Sequence, residues 1–522
     1  MLPSRAAEID LVWSPVPPAE IVNESVLREG LAADAHDVEA NYWMARWLLA
    51  GGHVRAGIGF LQRSLRVAPQ HAPSYLRLGL AYRSIGERDA ATYALESAAR
   101  WAPESPSAHY HLGLDRHSVQ RWSEAATCQQ RALALDPRHP GAHSGLGLSL
   151  ARIGEFERAM EHLDRAVELA PEWGGAYSNR AILQGRLDRW AQAEAGHLRA
   201  IELQPTAAAI RFNYMLALLQ QGELARGMAL YESHHAVYPP MLTERRWDGQ
   251  PVRGTLLLYA MHGLGDMLQF IRYVPMVAGL ADRVVLVLPA RLMPLLASVP
   301  GADERIVFGD PLPVFDAQAS LLELPAVLGH DWPDVPAMLP YLHANPARVS
   351  RWRRRLGPGF NVGIAWQGNR MQLDGYHRSC RLSDFAPLAR IPGVTLYSLQ
   401  KDADDASEAA DLGIVDLGAD LDADGAAFVD TAAVMQCLDL VVTIDTSLCH
   451  LAGGLGRPVW TLLPYWSDWR WMLDRSDSPW YPAVMRLFRQ PRPGAWADVM
   501  QAVADALQEL VCLQARTGRT AR

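Results

Sequence analysis

The sequence predicts two kinds of structure in one chain, an α-solenoid of helical hairpins followed by two doubly wound α/β lobes. Six prolines, Pro69, Pro103, Pro137, Pro171, Pro205 and Pro239, stand 34 residues apart with other positions in step. A fixed period of that length marks stacked repeats. From residue 250 onward, short apolar runs suited to strands alternate with amphipathic stretches, and the alternation starts afresh near residue 360.

Composition narrows the function classes. At 522 residues the chain exceeds one hydrophobic core, and about 150 residues per domain suggests two to four. It is 49% hydrophobic and 20% charged, with no stretch near the ~18 apolar residues of a membrane helix, so no membrane insertion is expected. Lys plus Arg (49) against Asp plus Glu (57) gives −8, which offers no broad basic surface for a nucleic-acid polymer. The five cysteines, Cys128, Cys380, Cys437, Cys449 and Cys512, are scattered without a CxxC pair, so neither a disulfide framework nor a zinc site is indicated. The opening MLPSRAAEIDLVWSPVPPAE carries acids and prolines where a signal peptide needs an apolar run. A cytoplasmic protein is expected.

In the first half, twelve residues before each proline stands Gly57, Ala91, Ala125, Ala159, Ala193 or Gly227, and twelve further back Ala45, Gly79, Gly113, Gly147, Ala181 or Met215. Small residues let two helices approach closely, and the proline stops the second helix. Segments such as SYLRLGLAYRSIGERDAATYALESAARWAPES and AHSGLGLSLARIGEFERAMEHLDRAVELAPE resemble the tetratricopeptide repeat (TPR). The resemblance covers residues 38–240 and weakens at the end, where Met215 and His234 replace small residues. It implies a TPR superhelix whose concave face receives a peptide or partner protein. A purely structural stack is the alternative. Residues 1–37 form an expected lead-in and capping segment. Tyr75, Tyr82, His109, Arg116 and Arg180 fall on first helices, which line such grooves, without an assigned ligand.

In the second half, TLLLYAMHGLGDMLQFIRYVPMVAGL reads as strand, glycine loop and helix, and RVVLVLP and ERIVFGD read as further strands. These define a first lobe over 250–345. NVGIAWQGN, TLYSLQ, LDLVVTID and PVWTLLP supply the strands of a second lobe over 360–512, closed by the helix WADVMQAVADALQELVCLQ; residues 513–522 are expected to be a disordered tail. Within DLVVTIDTSLCHLAGGLGRPVW a strand ends at Asp445 and a helix starts near Ser447. Free N–H groups at such a junction bind phosphate oxygens, and Thr446, Ser447 and His450 add donors. An ordinary Asp or Thr helix cap is the other reading.

GLGD at 263–266, AWQGN, DGYHRS, LYSLQK, FVDTAAVMQCLDLVVTIDT, DTSLCHLAGGLGRPVW and DWRWMLDRSDSPWYPAVMRLFRQ occur in order over 250–505. Together they resemble the bacterial heptosyltransferase-like (glycosyltransferase family 9-like) enzymes, closest to a branch with TPRs ahead of the transferase. The resemblance implies a GT-B fold of two Rossmann-like lobes and an inverting, metal-independent glycosyltransferase without cofactor. It would move a sugar from a nucleotide-sugar donor to Ser or Thr of a protein held by the TPR groove, flagellin being the first guess. Transfer to lipopolysaccharide or another glycan, and a TPR scaffold with an inactive transferase domain, are the alternatives.

By the same resemblance Asp266 is the general base, with His262 as a substitute. Asp445, Thr446, Ser447, Leu448 and His450 form the donor-binding segment. Arg378 and Ser379 match an Arg-Ser pair whose guanidinium neutralises the leaving phosphate, with Arg381 as the substitute. Gln372 stands where the branch has histidine. Gly263, Gly265, Gln367, Asn369, Gln400 and Lys401 are candidate donor or acceptor contacts, beside Trp366 and Gly368. Asp430 and Thr431 read as a helix cap, and Trp466, Trp469, Arg470, Trp471, Trp480 and Tyr481 as packing across both lobes, with stacking against sugar faces or an acceptor loop as the alternative. No metal ligand set is expected.

Overall fold

The computed structural model describes residues 24–260, 263–368, 377–401, 406–417 and 420–517. These fall into two compact units, one within Leu2–Ala217 and Glu232–Tyr238, the other within Leu218–Tyr231 and Pro239–Arg522.

The first unit is helical. After Glu24–Ala33 come hairpins of Val38–Ala50 with Val54–Val67, Ala72–Ile85 with Arg88–Trp101, Pro106–Ser118 with Trp122–Leu135, Pro140–Ile153 with Phe156–Leu169, and Gly174–Arg186 with Trp190–Leu203. Ala208–Gln220 follows and runs into the other unit at Leu218; the short helix Leu224–Met228 belongs to that unit and Glu232–Val237 to this one. Each periodic proline stands two residues past the end of a helix, where its missing N–H costs no helical hydrogen bond. The small residues sit at the crossings. A Cβ on Gly79 would come within 2.6 Å of Leu95, and one on Gly147 within 2.6 Å of Leu163.

The turn inside each hairpin carries a second periodic signal. Gly52, Gly86, Gln120, Gly154, Asp188 and Gly222 all have positive φ and stand 34 residues apart. Glycine adopts that conformation without a Cβ clash, whereas Gln120 and Asp188 bear one.

The second unit holds two wholly parallel sheets. The first contains β1 (Val252–Tyr259), β2 (Ala281–Leu288), β3 (Glu304–Val307) and β4 (Ala317–Ser320), in spatial order β3-β2-β1-β4. The second contains β5 (Phe360–Ala365), β6 (Val394–Ser398), β7 (Val415–Asp416), β8 (Leu440–Ile444), β9 (Val459–Leu463) and β10 (Met485–Arg489), in order β10-β9-β8-β5-β6-β7. That order is the dinucleotide-fold arrangement, and the direction in which successive strands are added reverses between β5 and β8. β4, β7 and β10 go beyond the strands read from sequence; they are short, polar or arginine-flanked.

The buried runs of β5 and β8 pack with Phe385, Leu388 and the apolar face of the terminal helix, including Val499, Val503 and Leu507. That helix spans Trp496–Thr517, which corrects the expected tail: the boundary at 512 falls inside the helix. Val511 still packs against the core, and the helical face carries the chain on.

Candidate active site

Both lobes follow the same local plan. In the first, β1 ends at Tyr259 and the chain enters the helix Leu264–Phe270; in the second, β8 ends at Ile444 and the chain enters Ser447–Gly454. Parallel sheets bind ligands outside the carboxyl ends of their strands, at the reversal of strand order. The second-lobe helix starts beside the β5–β8 reversal, and the loop after β5 supplies Trp366, Gln367 and Gly368 on its other side.

The two helices pack against each other where the two sequence motifs lie. A Cβ on Gly265 would stand 3.0 Å from Cδ2 of His450 and 3.4 Å from the Cα of Ser447, so the absence of a side chain permits the approach. Next to it, Asp266 occupies the third helical position. Its Oδ2 accepts the Gly263 N–H at 3.0 Å, and its Oδ1 accepts from the Arg470 guanidinium at 2.5 Å. Asp266 thus accepts from the backbone at the start of its own helix and forms an ion pair across the lobes.

Arg470 is the principal residue whose charge sequence reading left without a role, placing it in an aromatic cluster read mainly as packing. Its Nε donates to Gln269 Oε1 at 2.7 Å, one terminal nitrogen to Asp468 at 2.8 Å and the other to Asp266. The Arg470 side chain is only 5% exposed, and those of Asp266 and Asp468 are 12% and 17% exposed. Burial pushes the Asp468 carboxyl up, but Arg470 outweighs it and brings the group to about 2. The Arg470 guanidinium loses proton affinity by burial and regains more from Asp468 and Asp266, so it stays charged.

His450 is held beside this group. Its Nδ1 lies 2.8 Å from the Tyr481 hydroxyl, and its ring stacks on Trp471 at 5.4 Å. Burial, reinforced by Arg470 and Arg272, holds the imidazole well below its ordinary pKa, hence neutral. A second arginine, Arg272, closes the far side by donating to the Trp480 carbonyl at 2.5 Å and the Tyr341 hydroxyl at 2.8 Å while lying over the Tyr341 and Tyr481 rings. Trp471, Trp480 and Tyr481 are fully buried.

The remaining predicted residues form two groups. Burial raises the Asp445 carboxyl, and the Arg378 guanidinium beside it pulls the other way. Thr446 caps the second-lobe helix, its hydroxyl accepting the Leu448 N–H at 3.3 Å; Ser447 is half-buried and Leu448 and His450 are buried. On the β5–β6 edge, Gln367 N–H donates to Gln400 Oε1 at 3.0 Å and Gly368 N–H to Ser379 Oγ at 3.0 Å. Lys401 donates to the Asp422 carbonyl at 3.1 Å. Asp430 is committed to Trp352 Nε1 and Arg348, both at 2.7 Å. His262, Asn369 and Gln372 lie outside the described residues.

Ligand atoms of Asp445, Cys449 and His450 lie within 4.8 Å of one another. Their surroundings suit an anion better than a cation. Burial and Asp445 raise the Cys449 thiol, which donates to the Thr446 carbonyl at 2.8 Å, and Arg470, Arg272 and Arg378 all act on His450.

Two tetratricopeptide-repeat family models match the chain, over residues 72–105 and 118–172; the N-terminal region contains TPRs. The chain is similar to protein FlbA of Caulobacter vibrioides, 28% identical over 342 residues, covering 58% of this chain and 55% of FlbA. It thus spans about half the length of that curated relative. Among solved structures it is similar to YrrB, described as a TPR protein with an unusual peptide-binding site, at 20% identity and TM-score 0.30, covering 35% of this chain and 95% of YrrB. A thermophilic TPR protein of Thermus thermophilus matches at 25% identity and TM-score 0.30, covering 33% of this chain and 93% of that one. Among the described residues no helix is long and apolar enough to cross a membrane.

Proposed function

We propose that this protein is an inverting glycosyltransferase with a GT-B arrangement, which moves a sugar from a nucleotide to Ser or Thr of a protein held by its TPRs in the cytoplasm. The observation that carries the reading is the meeting of the two motif helices at Gly265 and His450, with Asp266 beside them. Two strand-to-helix junctions converge on one place, one contributing a carboxylate and the other a helix N-terminus with hydroxyl and cationic neighbours. Inverting transfer needs that pairing. The acceptor oxygen bonds to the anomeric carbon as the bond from that carbon to the donor phosphate oxygen breaks. Asp266 takes the hydroxyl proton, and the nucleotide departs with the bonding electron pair on its phosphate. Arg378 and the Thr446–Ser447 junction face the growing negative charge. A repeat groove fitted to extended chains favours a protein acceptor, and flagellin is the acceptor to try first.

An interaction scaffold with an inert transferase unit is the second reading. It is favoured by the occupation of both Asp266 oxygens, by Gly263 and Arg470. The test is intact-mass analysis of flagellin coexpressed with the wild type or with Asp266→Ala in a host that makes the sugar nucleotide. A sugar-sized gain with the wild type alone supports transfer; flagellin bound but unchanged in both supports the scaffold.

A further inference from the structure

We infer that Arg470 is a ligand of the donor phosphate and that it couples phosphate binding to Asp266 by serving both. This rests on the nucleotide-sugar reading and adds to it a residue that the motif resemblance did not assign. A guanidinium has five N–H donors. Gln269, Asp468 and Asp266 take one each, so two remain without an acceptor among the described residues, on a side chain 5% exposed. A further buried donor lies close by without a partner, Nε2 of Gln269, whose Oε1 Arg470 holds. Buried donors are nearly always satisfied. A set of them beside a neutral histidine and the start of the Ser447–Gly454 helix fits a phosphate oxygen.

The arginine is anchored to receive it. Asp468 accepts from both the backbone N–H and the guanidinium of Arg470, and Gln269 fixes Nε, so the fork stays in place when a phosphate arrives. The bond that yields is the one to Asp266. Phosphate on Arg470 weakens the guanidinium's hold on that carboxylate, which frees the proposed base only when the donor is present. As charge builds on the leaving phosphate, the same guanidinium stabilises it.

The test is calorimetric binding of CMP, UDP, GDP, ADP and dTDP, each alone, to the full chain and its variants, with folding checked by circular dichroism. Arg470→Met is expected to weaken the best nucleotide by about tenfold or more, the scale of a lost charge-assisted contact. Asp266→Asn is expected to tighten it several-fold, because a competitor for the guanidinium is gone. Asp266→Asn placed on Arg470→Met should give no tightening, and the pair also removes one of the two carboxylates that Arg470→Met alone would leave without its cation. Equal tightening with and without Arg470, or unchanged affinity in Arg470→Met, would overturn the coupling while leaving the nucleotide reading intact. Binding of none of the five nucleotides would overturn that reading and this inference with it.

Discussion

The solenoid and the α/β unit both bury polar side chains, and they recruit them from different places. In the solenoid, Leu61, Leu95 and Leu163 are buried at one repeat position, and Gln129 and His197 occupy the same position in two other repeats. Gln129 donates to the Tyr110 carbonyl at 3.1 Å, whereas among the described residues neither nitrogen of His197 has a hydrogen-bond partner. Each is a neutral exception at an otherwise apolar position, the imidazole of His197 being held neutral by burial. In the α/β unit Asp266, Asp468 and Arg470, with Gln269, are drawn from segments far apart in sequence and form one chain of contacts. A repeat lattice links its buried polar residues between neighbouring helices, as Arg116 with Glu96 and Asp115 with Thr92. A site for chemistry gathers them at strand ends.

The largest expected effect is acid sensitivity in the solenoid. Burial is the main cause that brings His111, His117 and His197 to about 3 from an ordinary 6.5. Each binds its proton more weakly when folded, so stability is full above pH 6.5 and falls as the pH drops toward 3, while Asp468 loses its contribution only between 3.8 and about 2. The total loss should reach on the order of a few kcal/mol. Urea unfolding followed by circular dichroism should show it, and hydrogen exchange should place it in the hairpins. His197→Leu restores the residue type of the equivalent positions and should raise stability at neutral pH by about 1–3 kcal/mol. A decrease would mean that the imidazole has a partner.

Next in size, Gly147→Val drives a side chain into Leu163 and the Ala159 carbonyl at the helix crossing. Thermal unfolding should record a loss of about 1–3 kcal/mol. No loss would show that the hairpin has room to spread. The smallest effect is expected at Asp188, whose φ is 56°. Asp188→Gly relieves a left-handed residue and should gain about 0.5–1 kcal/mol, net of glycine's own entropy; a loss would point to a compensating side-chain bond.

How much of this was legible in the sequence follows the same division. The solenoid was readable because one geometric demand recurs every 34 residues: the prolines and small residues fell where the helices end and cross. The positive-φ positions were equally periodic, with glycine at 52, 86, 154 and 222, but two substitutions blurred the pattern. In the α/β unit, the apolar runs of β1, β2, β5, β8 and β9 were visible as strands. β4 is AQAS and β10 is MRLFR, too polar to announce burial. The motif loops could be named from resemblance, yet the partner of Asp266 stands 204 residues away at Arg470. Only a charged pair inside the aromatic run DWRW hinted at it, since a charge amid tryptophans needs a partner to be buried.

The most direct measurement of the central claim counts products. Purified full-length protein would be given flagellin and each sugar nucleotide in turn, with released nucleotide and flagellin intact mass followed together. The account predicts one nucleotide released per sugar gained, with one donor class, and neither product from Asp266→Ala that remains folded. Nucleotide release without a mass gain, or a mass gain undiminished in folded Asp266→Ala, would contradict it.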